Sequence, residues 1–280
     1  MRIDAHQHYW SPHHGDYGWL VPSRALRSIC RPFAPPDLHP HLNAAEIAGT
    51  VLVQAAPSAA ETLRLLEIAA RPGSRVLGVV GWCDFEAPDA PAQVCALAGN
   101  PLLKGLRPML QDLPDPRWIL RPEVAPALDA MERMRLALDL LVKPHQLDAV
   151  QELAQRRPAL HMVIDHAAKP SIPDGFQRWA EQIGRVAQHK HLHCKLSGLL
   201  TEAPIGAGVE TLRPFSDHLL QAFGPERLLW GSDWPVLTLA ASYAHWYGMS
   251  GALLSGLSAA QQALVFGGNA ARFYRMDAST

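Results

Sequence analysis

The strongest constraint on the fold of this chain is an alternation that repeats eight times along the sequence. A short run rich in β-branched residues or leucine is followed each time by a longer amphipathic stretch, which is typical of parallel β-α-β units. Helical segments fit between the runs, for example Ala59–Ala70 and Leu147–Gln155. The predicted strands are residues 2–8, 50–55, 76–82, 102–107, 136–142, 160–166, 191–197 and 228–233.

Eight such units predict a closed barrel. Right-handed crossovers between eight successive parallel strands close naturally into a (β/α)8 barrel. The length of 280 residues lies in the range that such barrels occupy as one domain, and no Gly/Ser-rich linker or block of like charges divides the sequence. We therefore predict an α/β fold, a single-domain TIM-type barrel over residues 1–280. A doubly wound open sheet uses a similar alternation, so periodicity alone leaves both folds open.

One connection is much longer than the others. Residues 9–49 separate the first two predicted strands and are rich in proline, histidine and aromatic side chains. Loops of this length in compact domains usually have a function, often as the cover of a site. In a barrel this segment leaves the C-terminal rim, where active sites lie. We predict that it lies over the C-terminal mouth, and the alternative is a packed surface excursion with no role in ligand binding.

Charge and cysteine content exclude several classes of protein. The formal net charge is -1, so the basic surface expected of a nucleic-acid-binding protein is missing. The N-terminal residues lack the apolar region of a signal peptide, and no segment has the length and apolar character of a transmembrane span. The four cysteines form no C-x-x-C pair, which argues against a disulfide framework or a thiolate metal site. We expect a cytoplasmic protein with reduced thiols and no nucleic-acid or membrane partner. The sequence carries no signal for an oligomeric state.

The H-x-H motif formed by His6 and His8 is the most informative short pattern. Because alternate residues of a strand share a face, we expect Asp4 to point the same way as both histidines, and Ile3 and Ala5 to face the helices. Two imidazoles at positions i and i+2 near the end of a strand can together reach one divalent ion or one substrate oxygen. The pattern alone is weak, since it recurs elsewhere among the 14 histidines. Its place at the end of the first predicted strand is what favours a site.

Other predicted strands end in polar side chains of compatible chemistry. His166 directly follows Asp165 at the end of an apolar run, and Asp233 ends the last strand. One such side chain alone is often only a loop cap, but several at the same ends of different strands converge on one pocket. For Arg107 a plain surface ion pair is the alternative. The candidates for substrate binding are Gln54, Trp82, Arg107, Gln111 and Lys195.

Five segments stand out in order along the chain: DAHQHYW at 4–10, KGLRPMLQ at 104–111, DHAAKP at 165–170, CKLSGL at 194–199 and WGSDWP at 230–235. Together they resemble the successive signatures of the amidohydrolase 2 branch of the amidohydrolase superfamily. More narrowly, they resemble its sugar-lactonase group, which L-fuconolactonase and L-rhamnonolactonase typify. The resemblance extends from residue 4 to about residue 274, and the set is more specific than any one motif.

This resemblance implies a (β/α)8 barrel that hydrolyses a sugar (aldono) lactone, a small-molecule substrate. It implies that His6, His8 and His166 surround the scissile carbonyl or bind a single divalent metal ion, with Asp233 as a further ligand and as the base that activates water. We expect Zn²⁺ as the ion, and members of the family differ over whether they need it.

Two positions depart from the family pattern. Arg107 ends the fourth strand, where no lysine suited to carboxylation is present, so a binuclear metal centre is not expected. The pair Ala167-Ala168 replaces the more usual residue-plus-glycine, which predicts a slightly altered loop after His166.

Three function classes follow from these residues. Opening a lactone needs an activated water, a polarised carbonyl and stabilisation of the tetrahedral oxyanion, which the predicted histidines and Asp233 can supply. The same branch also includes metal-dependent decarboxylases of aromatic acids and an isomerase of sugar lactones. A barrel that binds a ligand without catalysis is disfavoured, because all four residues of the predicted centre are present. The identity of the sugar cannot be derived from the sequence, since rim loops determine specificity.

Overall fold

A computed structural model describes residues 1–14, 16–172 and 174–276 of the chain. Within these residues one sheet contains eight parallel strands, each paired with the next along the chain. This order confirms the predicted barrel, because a doubly wound sheet reverses its strand order at a switch point. The strands are β1 (Ile3–Gln7), β2 (Gly49–Val53), β3 (Val76–Gly81), β4 (Leu103–Leu106), β5 (Ala137–Leu140), β6 (Met162–Ile164), β7 (Leu192–Leu196) and β8 (Leu228–Trp230).

A helix follows every strand and packs on the outside of the barrel. The apolar residues that alternate outward from the strands, such as Leu138 and Ile164, form one large core cluster with the buried faces of these helices. The helices are α1 (Pro35–Ala44), α2 (Ala59–Ala69), α3 (Ala90–Ala98), α4 (Ala125–Met134), α5 (Leu147–Arg156), α6 (Phe176–Val186), α7 (Val209–Phe223) and α8 (Tyr243–Leu253). In the described part of the chain, no helix combines the length and apolar character required to cross a membrane.

The predicted strands extend beyond the observed ones, mostly at their C-terminal ends. The residues that follow the last hydrogen-bonded pair of a strand include His8, Gln54, Arg107, His166 and Asp233. Each of them was predicted as the end of a strand. They lie at the mouth of the barrel, where polar side chains gather.

The long connection after β1 is shorter than predicted. Residues 35–44 are not loop but helix α1, the regular outer helix of the first β-α unit. Two prolines at its first two positions suit a helix start, which is why a proline-rich segment could contain a helix. Trp19, in the part of the segment that precedes α1, lies at the C-terminal end of β2, where it donates through Nε1 to the carbonyl of Ala55 at 2.7 Å.

The interior of the barrel is apolar at its N-terminal end. Inward-facing residues of several strands form a separate buried cluster, which includes Val51, Val80, Val163 and Leu229. Two short helices follow α8, namely α9 (Ala259–Ala263) and α10 (Asn269–Phe273). Phe273 and Tyr274 belong to the interior cluster, so the C-terminal segment closes the floor of the barrel.

The junction of β1 and β8, which we call the seam, is held differently from the other strand pairs. Among the described residues its pairing is one isolated bridge between Gln7 and Trp234. The Asp233 N–H donates to the His6 carbonyl at 2.8 Å, and the His8 N–H donates to the Trp234 carbonyl at 2.8 Å. A side chain completes the seam, because the Asp4 carboxylate accepts from the N–H of Ser232 at 2.8 Å and from the N–H of His6 at 3.2 Å.

Candidate active site

The first strand does not alternate as predicted. The pairing register between β1 and β2 shifts between Asp4 and Gln7, so β1 contains one extra residue there, as in a β-bulge. Ile3 and Ala5 consequently point into the barrel interior instead of toward the helices. Asp4 points outward, where it accepts from Tyr243 Oη of α8 at 3.0 Å. The expected shared face of Asp4 with the two histidines was therefore wrong.

Four side chains from three separate parts of the chain meet at the mouth of the barrel. His6 Nε2 lies 3.2 Å from His8 Nε2. The Asp233 Oδ1 atom lies 3.3 Å from His8 Nε2, and 3.8 Å from Nε2 of both His6 and His166. All four residues are at most 5% exposed. The residues predicted from strands 1, 6 and 8 are thus brought together, with one carboxylate oxygen at their centre.

Each imidazole is oriented by a contact at its other nitrogen. His8 Nδ1 lies 2.7 Å from the Val53 carbonyl, which can only accept, so this nitrogen carries the proton. His166 Nδ1 lies 2.9 Å from Ser197 Oγ. Such contacts fix the rotation of the rings, and they direct the Nε2 atoms of both histidines toward Asp233.

An unusual backbone presents His166. Residues 166–169 all have positive φ between 51° and 60°, and none of them is glycine. The left-handed conformation costs roughly 1–2 kcal/mol per such residue. Trp179 helps to hold the turn by donating through Nε1 to the Ala167 carbonyl at 2.7 Å. Gly198 lies against the ring of His166, where an added Cβ would approach ring atoms to 2.7 Å, so a side chain at position 198 would displace the imidazole.

Burial and neighbouring charges determine the protonation of these groups. Burial lowers the pKa of His166 to about 4. Burial, together with the Lys195 ammonium, lowers the pKa of His6 well below its ordinary value. Burial acts to raise the pKa of Asp233, but its contacts with His166 and His8 outweigh this effect and hold that pKa below its usual range. At neutral pH the site therefore contains the Asp233 carboxylate and neutral imidazoles at His6 and His166.

Arg107 lies beside the same centre and is not a surface residue. Its Nη1 atom lies 3.0 Å from Asp165 Oδ2 and 3.4 Å from His6 Nε2, and its Nη2 atom donates to the Gln54 carbonyl. The guanidinium is only 3% exposed. A fixed cation therefore lies within reach of whatever binds between the histidines.

The other predicted substrate-binding residues lie at different depths below the mouth of the barrel. Gln54 is fully buried and donates through Nε2 to the Arg107 carbonyl at 2.7 Å. Trp82 and Gln111 are half-buried at the rim after β3 and β4. Gln111 donates to Asp112 Oδ2 at 3.0 Å, and its own oxygen is buried without a hydrogen-bond partner. Lys195 is fully buried beneath His6 and contacts His6, Asp139 and Asp165.

Sequence reasoning missed the polar groups beneath the site. Asp139 on β5, Asp165 after β6 and Tyr274 in the floor are buried together with Lys195. Tyr274 Oη donates to Asp139 Oδ2 at 2.7 Å. The available signal was Asp139 itself, because it is a lone carboxylate inside the apolar run 136–142. Because that run was interpreted only as a strand, no partner was predicted for the Asp139 carboxylate.

Comparison with known proteins gives concordant matches along nearly the whole chain. The sequence profile of one protein family, described as Amidohydrolase, matches residues 3–276. A Burkholderia ambifaria protein named L-fucono-1,5-lactonase is 44% identical, and the alignment covers 99% of this chain and 96% of that protein. A protein of the same name from Burkholderia multivorans is 36% identical with the same coverage.

A solved structure agrees with these sequence matches. The crystal structure of an amidohydrolase from Burkholderia multivorans with bound zinc superposes on this chain with a TM-score of 0.93. The two sequences are 35% identical, and the superposition covers 99% of this chain and 100% of the other. The similarity therefore includes the barrel and every segment that contributes to the site.

Proposed function

The chain belongs to the amidohydrolase family, and from this membership we propose that it is a lactonase, which opens the ester ring of a sugar lactone to the free acid. Two relatives with that activity in their names support the substrate class, an aldono-1,5-lactone such as L-fucono-1,5-lactone. The observation that carries the proposal is the convergence of three imidazoles on one ionised carboxylate at the mouth of the barrel.

Asp233 is the group that activates water. Its pKa lies below the usual range, so the carboxylate is ionised at neutral pH and can accept a proton. A water molecule within reach of its Oδ1 atom loses a proton to it while the water oxygen adds to the lactone carbonyl carbon. The tetrahedral species then breaks its bond to the ring oxygen, and the proton passes from Asp233 to that departing oxygen. Water is consumed, one ester bond is broken, and a hydroxy acid is formed.

His6, His8 and His166 surround the position of the carbonyl oxygen. A buried, pre-oriented hydrogen-bond donor stabilises a developing oxyanion far better than bulk water does. Arg107, which lies 3.4 Å from His6 Nε2, adds a fixed positive charge for the oxyanion or for the carboxylate of the product. Trp82, Gln111 and Gln54 remain proposals for contacts with the sugar hydroxyls.

The same donor atoms have the spacing of a zinc site. In tetrahedral zinc coordination with bonds of about 2.0–2.1 Å, ligand atoms lie about 3.3 Å apart. The Nε2 atoms of His6 and His8 and the Asp233 oxygen lie 3.2 to 3.8 Å from one another. His8 Nε2 and Asp233 Oδ1 lie 3.3 Å apart, and both atoms can present lone pairs to one cation, because the Nδ1 proton of His8 is donated to the Val53 carbonyl.

We therefore propose that His6, His8 and Asp233 would hold one divalent ion, with zinc as the first choice. His166, whose Nε2 atom lies 3.8 Å from Asp233 Oδ1, is a further candidate ligand. A bound ion would supply Lewis-acid polarisation of the carbonyl. The proton transfers remain those of Asp233.

A panel assay with the purified chain tests this function. Acid release from several aldonolactones is followed with a pH indicator, with and without a chelator, and benzoate-type acids are assayed in parallel for CO₂ release. We expect acid from at least one aldono-1,5-lactone and no CO₂. Decarboxylation of an aromatic acid would contradict the proposal. So would conversion of a lactone to its isomer without acid release, detected by NMR.

A further inference from the structure

The polar centre at the mouth presents little accessible surface to a substrate. His6, His8, His166 and Asp233 are each at most 5% exposed, and Arg107 is 3% exposed. An aldonolactone therefore reaches them with its ester group, while its remaining ring carbons and hydroxyl groups lie outside this centre. The half-buried side chains of the rim then determine how the sugar is held.

Trp19 is half-buried at the mouth, close to this centre. Its indole ring packs against that of Trp10, with centroids 5.5 Å apart and planes at 89°. The Trp10 ring in turn lies 6.0 Å from the ring of His8. Trp19 Nε1 donates to the Ala55 carbonyl at 2.7 Å, and Val53, two positions earlier, accepts from His8 Nδ1. Both contacts place the Trp19 ring at the edge of the centre, on the side of His8.

The segment that carries Trp19 is fixed before any ligand binds. Trp10 and Phe33 exchange two backbone hydrogen bonds, of 3.2 and 2.8 Å, which join the two ends of the segment. Near its start, Asp16 forms an ion pair with Arg64 of helix α2. A ring held in this way loses little conformational freedom when a ligand packs against it, which favours binding.

Trp19 offers an apolar surface to a ligand, because the one polar atom of its side chain, Nε1, is already bonded to the Ala55 carbonyl. A sugar ring presents hydroxyl groups and also patches of C–H groups. Ligand pockets bury such apolar parts against aromatic side chains and use a few polar groups to orient the ligand. The indole of tryptophan provides a large apolar area for this purpose.

We propose that Trp19 is a specificity-determining residue, whose indole ring is the wall against which the C–H groups of the sugar pack while the ester lies among the histidines. The inference rests on the proposed lactonase function, which supplies the sugar lactone as the substrate. Trp82 and Gln111 have a different role in this arrangement, since they are the rim residues proposed to contact hydroxyl groups.

Two substitutions distinguish a contact with the sugar from support of the loop. Trp19→Ala removes the ring, whereas Trp19→Phe keeps an aromatic face and loses the N–H that bonds to Ala55. The control is Trp118→Ala. It removes another half-buried indole, one that packs against Phe85 with ring centroids 6.4 Å apart.

The first measurement is the affinity for L-fuconate, the acid that L-fucono-1,5-lactone yields, by isothermal titration calorimetry. We expect Kd to rise about 10-fold or more in Trp19→Ala, less than about threefold in Trp19→Phe and not at all in Trp118→Ala. An unchanged Kd in Trp19→Ala would overturn the proposal. So would an equal rise in both Trp19 variants, because the bond to Ala55 would then be what matters. Binding needs no turnover, so this test of Trp19 also applies to a wild type that hydrolyses no lactone, a result that would contradict the proposed function alone.

A second measurement does not depend on the folding of Trp19→Ala. In NMR spectra of the wild type with L-fuconate, we expect NOEs between the C–H protons of the ligand and the indole protons of Trp19. The loss of these signals in Trp19→Phe assigns them. NOEs from the ligand to other side chains of the rim, with none to Trp19, would overturn the proposal.

The third measurement is steady-state kinetics on L-fucono-1,5-lactone. A wall that contacts the substrate and the transition state equally lowers KM without changing kcat. We therefore expect Trp19→Ala to raise KM about 10-fold or more, with kcat within about threefold of the wild type. A lower kcat with unchanged KM would assign Trp19 to the support of the catalytic histidines, and the proposal would be wrong.

Discussion

At the scale of single residues, Asp233 is the side chain whose chemistry matters most. Asp233→Asn keeps the size of the side chain and removes the proton acceptor, so we expect kcat to fall by about 10²–10⁴-fold. The fold should be retained, because the N–H of Asp233 that bonds to the His6 carbonyl is unchanged. Initial rates and thermal midpoints of the same preparations test both expectations.

The exposed Asp217 on α7 provides a control of identical chemistry, since Asp217→Asn should leave both quantities unchanged. An Asp233→Asn protein that melts early yet hydrolyses lactone at the wild-type rate would show that this carboxylate is structural.

Ala168 lies in the left-handed turn that presents His166 and has a φ of 60°. Glycine adopts this conformation without the steric cost that alanine incurs. We expect Ala168→Gly to raise the free energy of unfolding by up to about 1 kcal/mol, after the greater entropy of the unfolded glycine chain is subtracted. Urea denaturation measures the change.

Ala96 provides the opposite case, because it is exposed within helix α3. Ala96→Gly should lower the free energy of unfolding by about 1 kcal/mol. If both substitutions destabilised the protein equally, the turn at Ala168 would not be strained.

At the scale of secondary-structure elements, the seam depends on one carboxylate. Asp4→Ala leaves the N–H groups of Ser232 and His6 buried without an acceptor, which should cost at least about 2 kcal/mol of stability. Asp4→Asn keeps an acceptor oxygen for them and should cost clearly less. We also expect Asp4→Ala to lower kcat, since both N–H groups adjoin the centre. Equal stabilities of the two variants in urea denaturation would show that the carboxylate does not hold the seam.

The elements also show what a sequence can and cannot predict. All eight strands were predicted, because their apolar runs are separated by long amphipathic segments. The orientation of Asp4, Ile3 and Ala5 was not, because a bulge inserts one residue and leaves no mark in the apolar pattern. Helix α1 was missed for a related reason, since its prolines resemble those of a loop. Such features depend on the neighbouring strand or helix and not on local composition.

In the candidate site, too, some features could be predicted from the sequence and others could not. His6, His8, His166 and Asp233 could be placed together, because the C-terminal ends of barrel strands meet at one mouth. The burial of Lys195 could not be derived, since its acceptors come from distant segments of the chain. A lysine near the end of a strand has the same sequence signature whether it meets a substrate or a buried carboxylate.

At the scale of the whole molecule, the mouth should bind at most one divalent ion. After dialysis against zinc and removal of the excess, elemental analysis should give no more than one ion per chain. His8→Ala should weaken binding, because His8 Nε2 already presents a lone pair. His145→Ala, at an exposed position, should have no effect. Two tightly held ions per chain would contradict the single site.

The floor of the barrel should make the protein sensitive to acid. His193 lies there with its ring 4.7 Å from that of Phe273, and burial lowers its pKa to about 4. Below about pH 6.5 the unfolded chain binds a proton at this position that the folded chain does not. Stability should therefore fall as the pH decreases from about 6.5 to about 4, by about 2–3 kcal/mol from this group.

His193→Gln removes the titration, so its free energy of unfolding should decrease less over this pH range than that of the wild type. The exposed His145→Gln should follow the wild-type curve. Parallel curves for all three proteins in urea denaturation would show that His193 does not contribute.

The seam also determines when during folding the site comes into existence. Asp4 and Ser232, which meet there, are 228 positions apart in the sequence. Closing so long a loop is entropically costly and is expected late on the folding pathway. A partly synthesised chain can contain His6, His8 and His166 long before it contains Asp233. Incomplete chains therefore carry the imidazoles without the base, and catalytic competence arises only when the first and last strands of the barrel have joined.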